Sequence, residues 1–341
     1  MKKPEILFLK QEEVVEAGLL DMKMVLAEVE KTYSLFGKGV IKNPPKTKLA
    51  MPDPENWTSY FTAMPVYVGG DIHMAGFKWA AESVLNSKTP GMPMGVDLIT
   101  LSDPDTVLPV AIMDGTVITA MRTSAVAGVA AKYLAHKDSK KATLIGAGVI
   151  GRTMVMAIAE SVPSLEEIVL ADLNFEKAKT VAAEFEGKYD LKVTPSGNTQ
   201  EAVQDADLIV TETTARSPYL KMEWVKPDVA VIQMTSNEIE EDFFLKADKL
   251  YVDFWDQIIK DGNYMIGKLY RAGKVNPEEV TEIAKLVNQE NPGREAGDGL
   301  IVCNTKGLGA LDIMLATKVY QVAKEKGLGT TLQLWNSPLW V

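Results

Sequence analysis

The stretch "ATLIGAGVIGRTMVMAIAE", residues 142–160, sets Gly146, Gly148 and Gly151 between an apolar run and a helical one. That order gives each glycine a task. The first permits a tight turn, the second lets backbone approach a pyrophosphate, and the third brings helix close to strand. The first helical turn, Val149 and Ile150 with Gly151, then offers N–H groups and a partial positive charge to phosphates. Alone the pattern is weak, because a packing turn produces it with no ligand. Asp172, 21 residues beyond Gly151 and directly after "IVLA", strengthens it. A carboxylate there accepts hydrogen bonds from both ribose hydroxyls of NAD and repels the 2′-phosphate of NADP. NAD is therefore the expected cofactor. NADP stays possible, because Lys177 lies nearby and softens that repulsion. The competing reading of Asp172 is a helix N-cap. In "TETTARSP", residues 211–218, Thr213 and Thr214 follow a later apolar run, where a loop meets ribose and nicotinamide in such folds. They are candidate contacts, or simply turn hydroxyls.

A second set of residues is cationic. Lys78 lies inside the apolar run "MAGFKWAA", and Arg122 inside the helical "VITAMRTSAVAGVAAKYLA". Lys46 sits in "NPPKTKL", held extended by two prolines. A lysine within an apolar run either snorkels to water or faces a polar cavity. Taken singly, each is more simply a solvated edge residue or a salt-bridge partner. His73, in "GGDIHMAGFKW", is a candidate substrate contact or proton carrier. Its plainer reading is a hydrogen-bonded histidine at a strand start. With two histidines and one cysteine, a His/Cys zinc site is not expected. No G-x-S-x-G elbow supports a Ser-His-Asp triad. The chemistry must come from a cofactor, from Lys, Arg and carboxylates, or from both.

These residues need elements to hold them. From residue 142 strand-like and helical segments alternate. The strands are expected at Ala142–Ile145, Glu167–Ala171, Leu191–Thr194, Leu208–Thr211, Asp228–Gln233 and Lys249–Val252. That alternation predicts an α/β protein with a Rossmann-type doubly wound parallel sheet over residues 123–307. The first 120 residues differ. Residues 11–38 read as helical and Ile41–Pro54 as extended, with strands at Ser59–Ala63, Met74–Trp79, Gly95–Ser102 and Val110–Asp114. A last helix, Leu308–Lys326, returns to this part. The result is a discontinuous α+β domain, 1–122 with 308–341, expected to bind substrate and to dimerise.

Bulk properties exclude other classes. A length of 341 residues suits two domains, and a net charge of -10 opposes nucleic-acid or anionic-membrane partners. No uninterrupted apolar run is long enough to cross a bilayer. Charges interrupt what would be the apolar core of an N-terminal signal. The lone Cys303 allows no intrachain disulfide. A cytoplasmic location is the expectation.

From "PPKT" through "GFKWAAESVLN", "DGTVITAMRT" and "KKATLIGAGVIG" to "GLGALDIMLATKVYQVA", the chain closely resembles the ornithine cyclodeaminase/mu-crystallin family. The D-G-T-x-I-T-A-x-R-T pattern, Asp114 to Thr123, is the most specific part. The resemblance implies a homodimer, an NAD(P) domain, and an α-amino acid whose carboxylate is gripped by Lys78 and Arg122. Lys46 stands where the family has an assisting arginine, so the charge stays and the bidentate fork is lost. Thr123 joins the implied cofactor contacts, and Thr305 aligns with a hydroxyl residue that holds the carboxamide. Asn304 stands where many members have lysine, and Asp312 reads as a helix-pairing salt bridge. Cyclodeaminases of the family carry two acids that handle the ring-forming amine and the ammonia. Here Thr62 replaces one, and Ser236 or Asn237 the other. The resemblance therefore favours an amino acid dehydrogenase or imine reductase. The alternatives are a cyclodeaminase using another acid such as Glu238, and a mu-crystallin-like binding protein.

Overall fold

The computed structural model describes residues 4–51, 59–83, 85, 86 and 89–340, and divides into two compact units. One comprises Met1–Arg122 with Leu308–Val341, the other Thr123–Gly307.

The first unit is a mixed sheet covered on one face by helices. Its strands are β1 (Glu5–Leu9), β2 (Ile41–Lys42), β3 (Thr47–Ala50), β4 (Ser59–Val68), β5 (Met74–Ser83), β6 (Gly95–Ser102) and β7 (Pro109–Asp114). The spatial order is β1-β7-β6-β5-β4-β2, with β3 also on β4 and the C-terminal strand Thr330–Gln333 beside β1. From β4 to β7 the chain runs as an antiparallel meander, whereas β1 joins β7 in parallel. Period-two alternation sends Met64, Val66, Ile99, Leu101, Ala111 and Met113 to one face, where all are buried. The helices Met22–Gly37 and Gly309–Lys326 pack there. Close approach of the last helix needs Gly76, since a Cβ would lie 2.6 Å from the Thr100 carbonyl and 3.0 Å from Ile313. The other face stays open: Phe77, Val96 and Leu98 are 39, 45 and 42% exposed.

Two features of this unit depart from the sequence expectations. The helical stretch 11–38 is broken at Gly18, whose φ of 102° ends a short π-turn before Asp21 caps the next helix. The strands Glu5–Leu9 and, at the edge, Thr330–Gln333 were not anticipated, because each is short and flanked by charged or polar residues. Residues 52–54 of the extended segment lie outside the described residues.

The second unit is an eight-stranded, all-parallel sheet. In chain order its strands are β8 (Lys141–Ile145), β9 (Glu167–Ala171), β10 (Lys192–Ser196), β11 (Leu208–Thr211), β12 (Ala230–Gln233), β13 (Lys249–Val252), β14 (Val280–Glu282) and β15 (Ile301–Asn304). The order β10-β9-β8-β11-β12-β15-β13-β14 reverses direction between β8 and β11. Central strands are buried on both faces, which is why they read as unbroken apolar runs. β10 carries Pro195, which an edge strand tolerates. β14 and β15 extend the sheet beyond the six expected strands, and β15 inserts between β12 and β13. Among the described residues no helix is long and apolar enough to cross a membrane, and no group of three or more metal-ligating side chains converges.

Candidate active site

In the first unit the sequence-predicted cations Lys78 and Arg122 meet around one carboxylate. Lys78 lies on β5 with its side chain turned to the helix-covered face, only 1% exposed. Thr119 and Arg122 sit one turn apart on the helix Thr116–Leu134. Asp312 projects from the last helix and is fully buried. Its Oδ1 accepts from Lys78 Nζ at 2.9 Å and from Arg122 Nε at 3.1 Å. Burial alone would raise the Asp312 carboxyl. The opposing charges of Arg122 and Lys78 win and hold it below the usual carboxylate range, with Lys46 adding to the same field. Burial likewise opposes the Arg122 charge, and Asp312 outweighs it, so the guanidinium is held more firmly protonated than usual.

Asp97 completes the group. It lies on β6, diagonally across from Lys78, and is 7% exposed. The Thr119 hydroxyl accepts from Lys78 Nζ at 3.0 Å and donates to Asp97 Oδ2, while the Lys78 to Asp97 ion pair spans 3.6 Å. Sequence reading missed Asp97; Asp312 does pair two helices, through Arg122, and the structure adds Lys78 as a second cation on the same oxygen. The available signal was an acid at an inward position of the alternating "GVDLITLS".

Lys46, partly buried, immediately precedes β3. Its segment is fastened by Asn43, whose Oδ1 accepts from the Ala310 N–H at 3.1 Å. His73 is elsewhere. It occupies the turn before β5 with a φ of 42°, bonded to Tyr67 Oη and Asp105 Oδ1, both at 3.0 Å. Five residues of strand, about 16 Å, separate it from Lys78. The expectation that it touches substrate is corrected to a hydrogen-bonded turn histidine.

In the second unit Gly146 and Gly151 behave as their spacing predicts. Gly146 has a φ of 115°, and a Cβ on it would lie 2.2 Å from the Glu212 carbonyl. A Cβ on Gly151 would lie 1.9 Å from the Gly146 carbonyl. Gly148 is the N-cap of the helix Val149–Ser161, whose first-turn N–H groups have no intrahelical partners. Beside it opens a cleft of about 440 Å³ lined by Gly148, Val149, Arg152, Asn174, Lys177 and Thr180, among others. This shape suits a pyrophosphate and the adenosine beyond it.

Asp172 stands at the end of β9, but not as a helix cap. Its oxygens accept from the Ala147 and Asn174 N–H groups, both at 2.8 Å, so it also ties the glycine loop to β9. Each carboxylate oxygen keeps a further acceptor site. Thr213 takes the second of its two readings, a turn hydroxyl that accepts from the Ala215 N–H at 3.2 Å. Its hydroxyl donates to Glu238 Oε1 at 2.6 Å and its N–H does so at 2.7 Å, so the side chain braces a loop. Glu238 is fully buried and also accepts from the Thr211 hydroxyl at 2.7 Å. Burial first, then the Glu238 charge, pushes the neighbouring Tyr219 hydroxyl far up. Thr214 is exposed, and Thr123 is nearly buried in its helix. Thr305 is buried after β15, its hydroxyl 3.4 Å from Met234 Sδ.

The chain belongs to the ornithine cyclodeaminase/mu-crystallin family, matched over residues 5–327. It is 30% identical to the N-((2S)-2-amino-2-carboxyethyl)-L-glutamate dehydrogenase of Staphylococcus aureus, across 97% of this chain and 99% of that one. The structure of Thermococcus litoralis Δ1-pyrroline-2-carboxylate reductase with NADH and L-proline is similar at a TM-score of 0.86 and 31% identity, covering 95% of this chain and 99% of that one. An archaeal alanine dehydrogenase dimer with bound NAD gives a TM-score of 0.85 at 29% identity, covering 97 and 100%.

Proposed function

We propose that this protein is an NAD-dependent oxidoreductase acting at the α-carbon of an amino acid, interconverting the amine and the imine. One observation carries the reading. Arg122 uses only Nε on Asp312, and its two terminal nitrogens have no partner among the described residues. In a nearly buried site that leaves a planar, charged fork whose geometry matches a carboxylate. Lys78 adds a second cation and an N–H donor beside it, and Lys46 contributes from the edge.

Bound NAD would supply hydride acceptance and donation, with the glycine loop, Val149, Ile150 and Asp172 holding it. Thr123, Thr214 and Thr305 remain in the proposed cofactor set, whereas Thr213 acts through the loop it braces. The Asp172 charge favours NAD over NADP. Clamping the carboxylate fixes the α-carbon, and Lys78 is placed to give or take the proton that accompanies the change at nitrogen. The relatives' names, an alanine dehydrogenase, a pyrroline-2-carboxylate reductase and an N-substituted amino acid dehydrogenase, point to the same bond. Glu238, the acid a cyclodeaminase would need, is taken up by Thr211 and Thr213. We further propose a cytoplasmic homodimer built on the open apolar face of the first unit.

The test is an absorbance screen pairing NAD and NADP with L-amino acids, and NADH and NADPH with 2-oxo acids plus amines. Turnover of one amino acid with NAD, lost in Lys78→Ala with NADH binding intact, supports the reading. Ammonia release from ornithine without net NADH would replace it with cyclodeamination.

A further inference from the structure

Two buried polar atoms at one end of the second unit's sheet have no partner among the described residues, Asn304 Oδ1 and Thr235 Oγ1. Asn304 is the last residue of β15 and fully buried. Thr235 stands two residues beyond β12, the strand paired with β15. The amide plane of Asn304 is settled. Its Nδ2 donates to the Gln233 carbonyl at 3.1 Å and to the Thr235 carbonyl at 2.9 Å. Turning the amide over would set Oδ1 against two carbonyl oxygens, so Oδ1 is held as an acceptor with nothing to accept. The Thr235 backbone is fixed as well, because its carbonyl also accepts from Gln233 Nε2 at 2.8 Å. Atoms this buried and this well held are costly to leave unbonded unless a ligand meets them.

Their place in the sheet says which ligand. A doubly wound sheet binds a dinucleotide across the carboxyl ends of its strands, one nucleotide on each side of the point where strand order reverses. Here that point lies between β8 and β11. The glycine loop and Asp172 stand on the β8 and β9 side and take the pyrophosphate and adenosine. The nicotinamide half then falls to the carboxyl ends of β11, β12 and β15, the ends that carry Thr235 and Asn304. A nicotinamide carboxamide is planar, with N–H donors on one side and an acceptor oxygen on the other. Asn304 Oδ1 complements the first and the Thr235 hydroxyl the second. The neighbouring Thr305 donates its hydroxyl proton to Met234 Sδ, so the donor for the carboxamide oxygen comes from elsewhere.

We infer that Asn304 and Thr235 hold the nicotinamide carboxamide, Asn304 Oδ1 accepting from its N–H and the Thr235 hydroxyl donating to its oxygen. Gripped on both sides, the ring cannot rotate, and one of its faces is presented for hydride transfer. The assignment rests on the NAD part of the reading above and is independent of which amino acid reacts.

The experiment is titration calorimetry of the full-length protein with three compounds. They are NAD, its 3-acetylpyridine analogue, in which a methyl group replaces the carboxamide NH2, and ADP-ribose, which lacks the ring. The wild type should bind NAD about 10- to 100-fold more tightly than the analogue. In Asn304→Leu that preference should vanish while ADP-ribose binds as before. Should Asn304→Leu not fold, Thr235→Val carries the test, since it removes a hydroxyl that bonds to nothing in the protein. It should weaken NAD and the analogue alike, by about 3- to 10-fold, with ADP-ribose unaffected. A wild type indifferent to the NH2 group, a preference that survives Asn304→Leu, or an NAD affinity unchanged in Thr235→Val overturns this assignment and leaves NAD binding standing. If neither NAD nor ADP-ribose binds the wild type, the NAD reading falls and this assignment with it.

Discussion

Asp312 Oδ1 accepts simultaneously from Lys78 on a strand and from Arg122 on a helix, at 2.9 and 3.1 Å. One oxygen thus joins three elements that lie far apart in sequence, and orients two cations whose free ends define the site. Without it, two positive charges would be buried side by side in a nearly dry interior, a costly arrangement at any effective dielectric.

Asp312→Asn should therefore destabilise the protein by about 3–5 kcal/mol, as expected when one partner of a buried pair is removed. The pH dependence has a definite sign. The folded-state carboxyl is depressed by Arg122 and Lys78, so its contribution is complete above the unfolded value near 4. It is lost as pH falls through the lower folded value. Urea unfolding at pH 7 and along the acid limb measures both. An Asp312→Asn acid limb as steep as that of the wild type would contradict the assignment.

Arg122→Lys keeps the charge and removes the fork. Losing one charge-assisted bond to a substrate carboxylate should lower kcat/KM roughly 10- to 100-fold. NADH affinity should stay unchanged, because every residue proposed to hold the cofactor belongs to the other unit. Parallel loss of NADH binding would show that Arg122 acts through the fold.

How much of this was legible in sequence differs by element. The parallel strands β8, β9, β11 and β13 stood out because burial on both faces makes them continuous apolar runs. β14 was not seen, being three residues long and partly buried. Gly146 and Gly151 were legible because a Cβ is sterically excluded there, and sterics leave a residue-type signature. Asp97 and Asp312 were not, since what makes them functional is whom they meet. Their partners come from 19 to 234 residues away. Thr213 stayed open between ligand contact and turn hydroxyl for the same reason: only the fold shows that Glu238 claims its hydroxyl.

Gly151→Ala should abolish cofactor binding or folding of the second unit, because the new methyl would lie 1.9 Å from the Gly146 carbonyl. No side-chain rotation relieves a clash between two backbone segments. Loss of NADH fluorescence enhancement together with a lowered melting temperature is the expected result. Wild-type NADH affinity in this variant would refute the tight-turn geometry.

Asp172→Asn should raise the NADP-to-NAD ratio of kcat/KM by about 10-fold or more, by removing the charge that opposes a 2′-phosphate. Asn retains an acceptor for the Ala147 or Asn174 N–H but not both, so a stability loss of about 1 kcal/mol should accompany it. The two consequences separate its roles. A stability loss with both cofactors weakened equally would reduce Asp172 to a loop brace.

The open face of the first sheet makes the last prediction. Phe77, Val96 and Leu98 present neighbouring apolar side chains on adjacent strands, and Phe61 stacks on Trp79 at 5.3 Å on the same face. A contiguous exposed apolar surface of this kind marks an interface. A two-fold partner would cover it with the same surface of a second copy. Leu98→Lys places a charge at the centre of that face and, in a dimer, opposite its own symmetry mate. Light scattering on the wild type should give twice the mass of 37.3 kDa, and the variant should shift toward the single-chain mass. A monomeric wild type would sink the dimer. A variant that remains dimeric would move the interface to another surface.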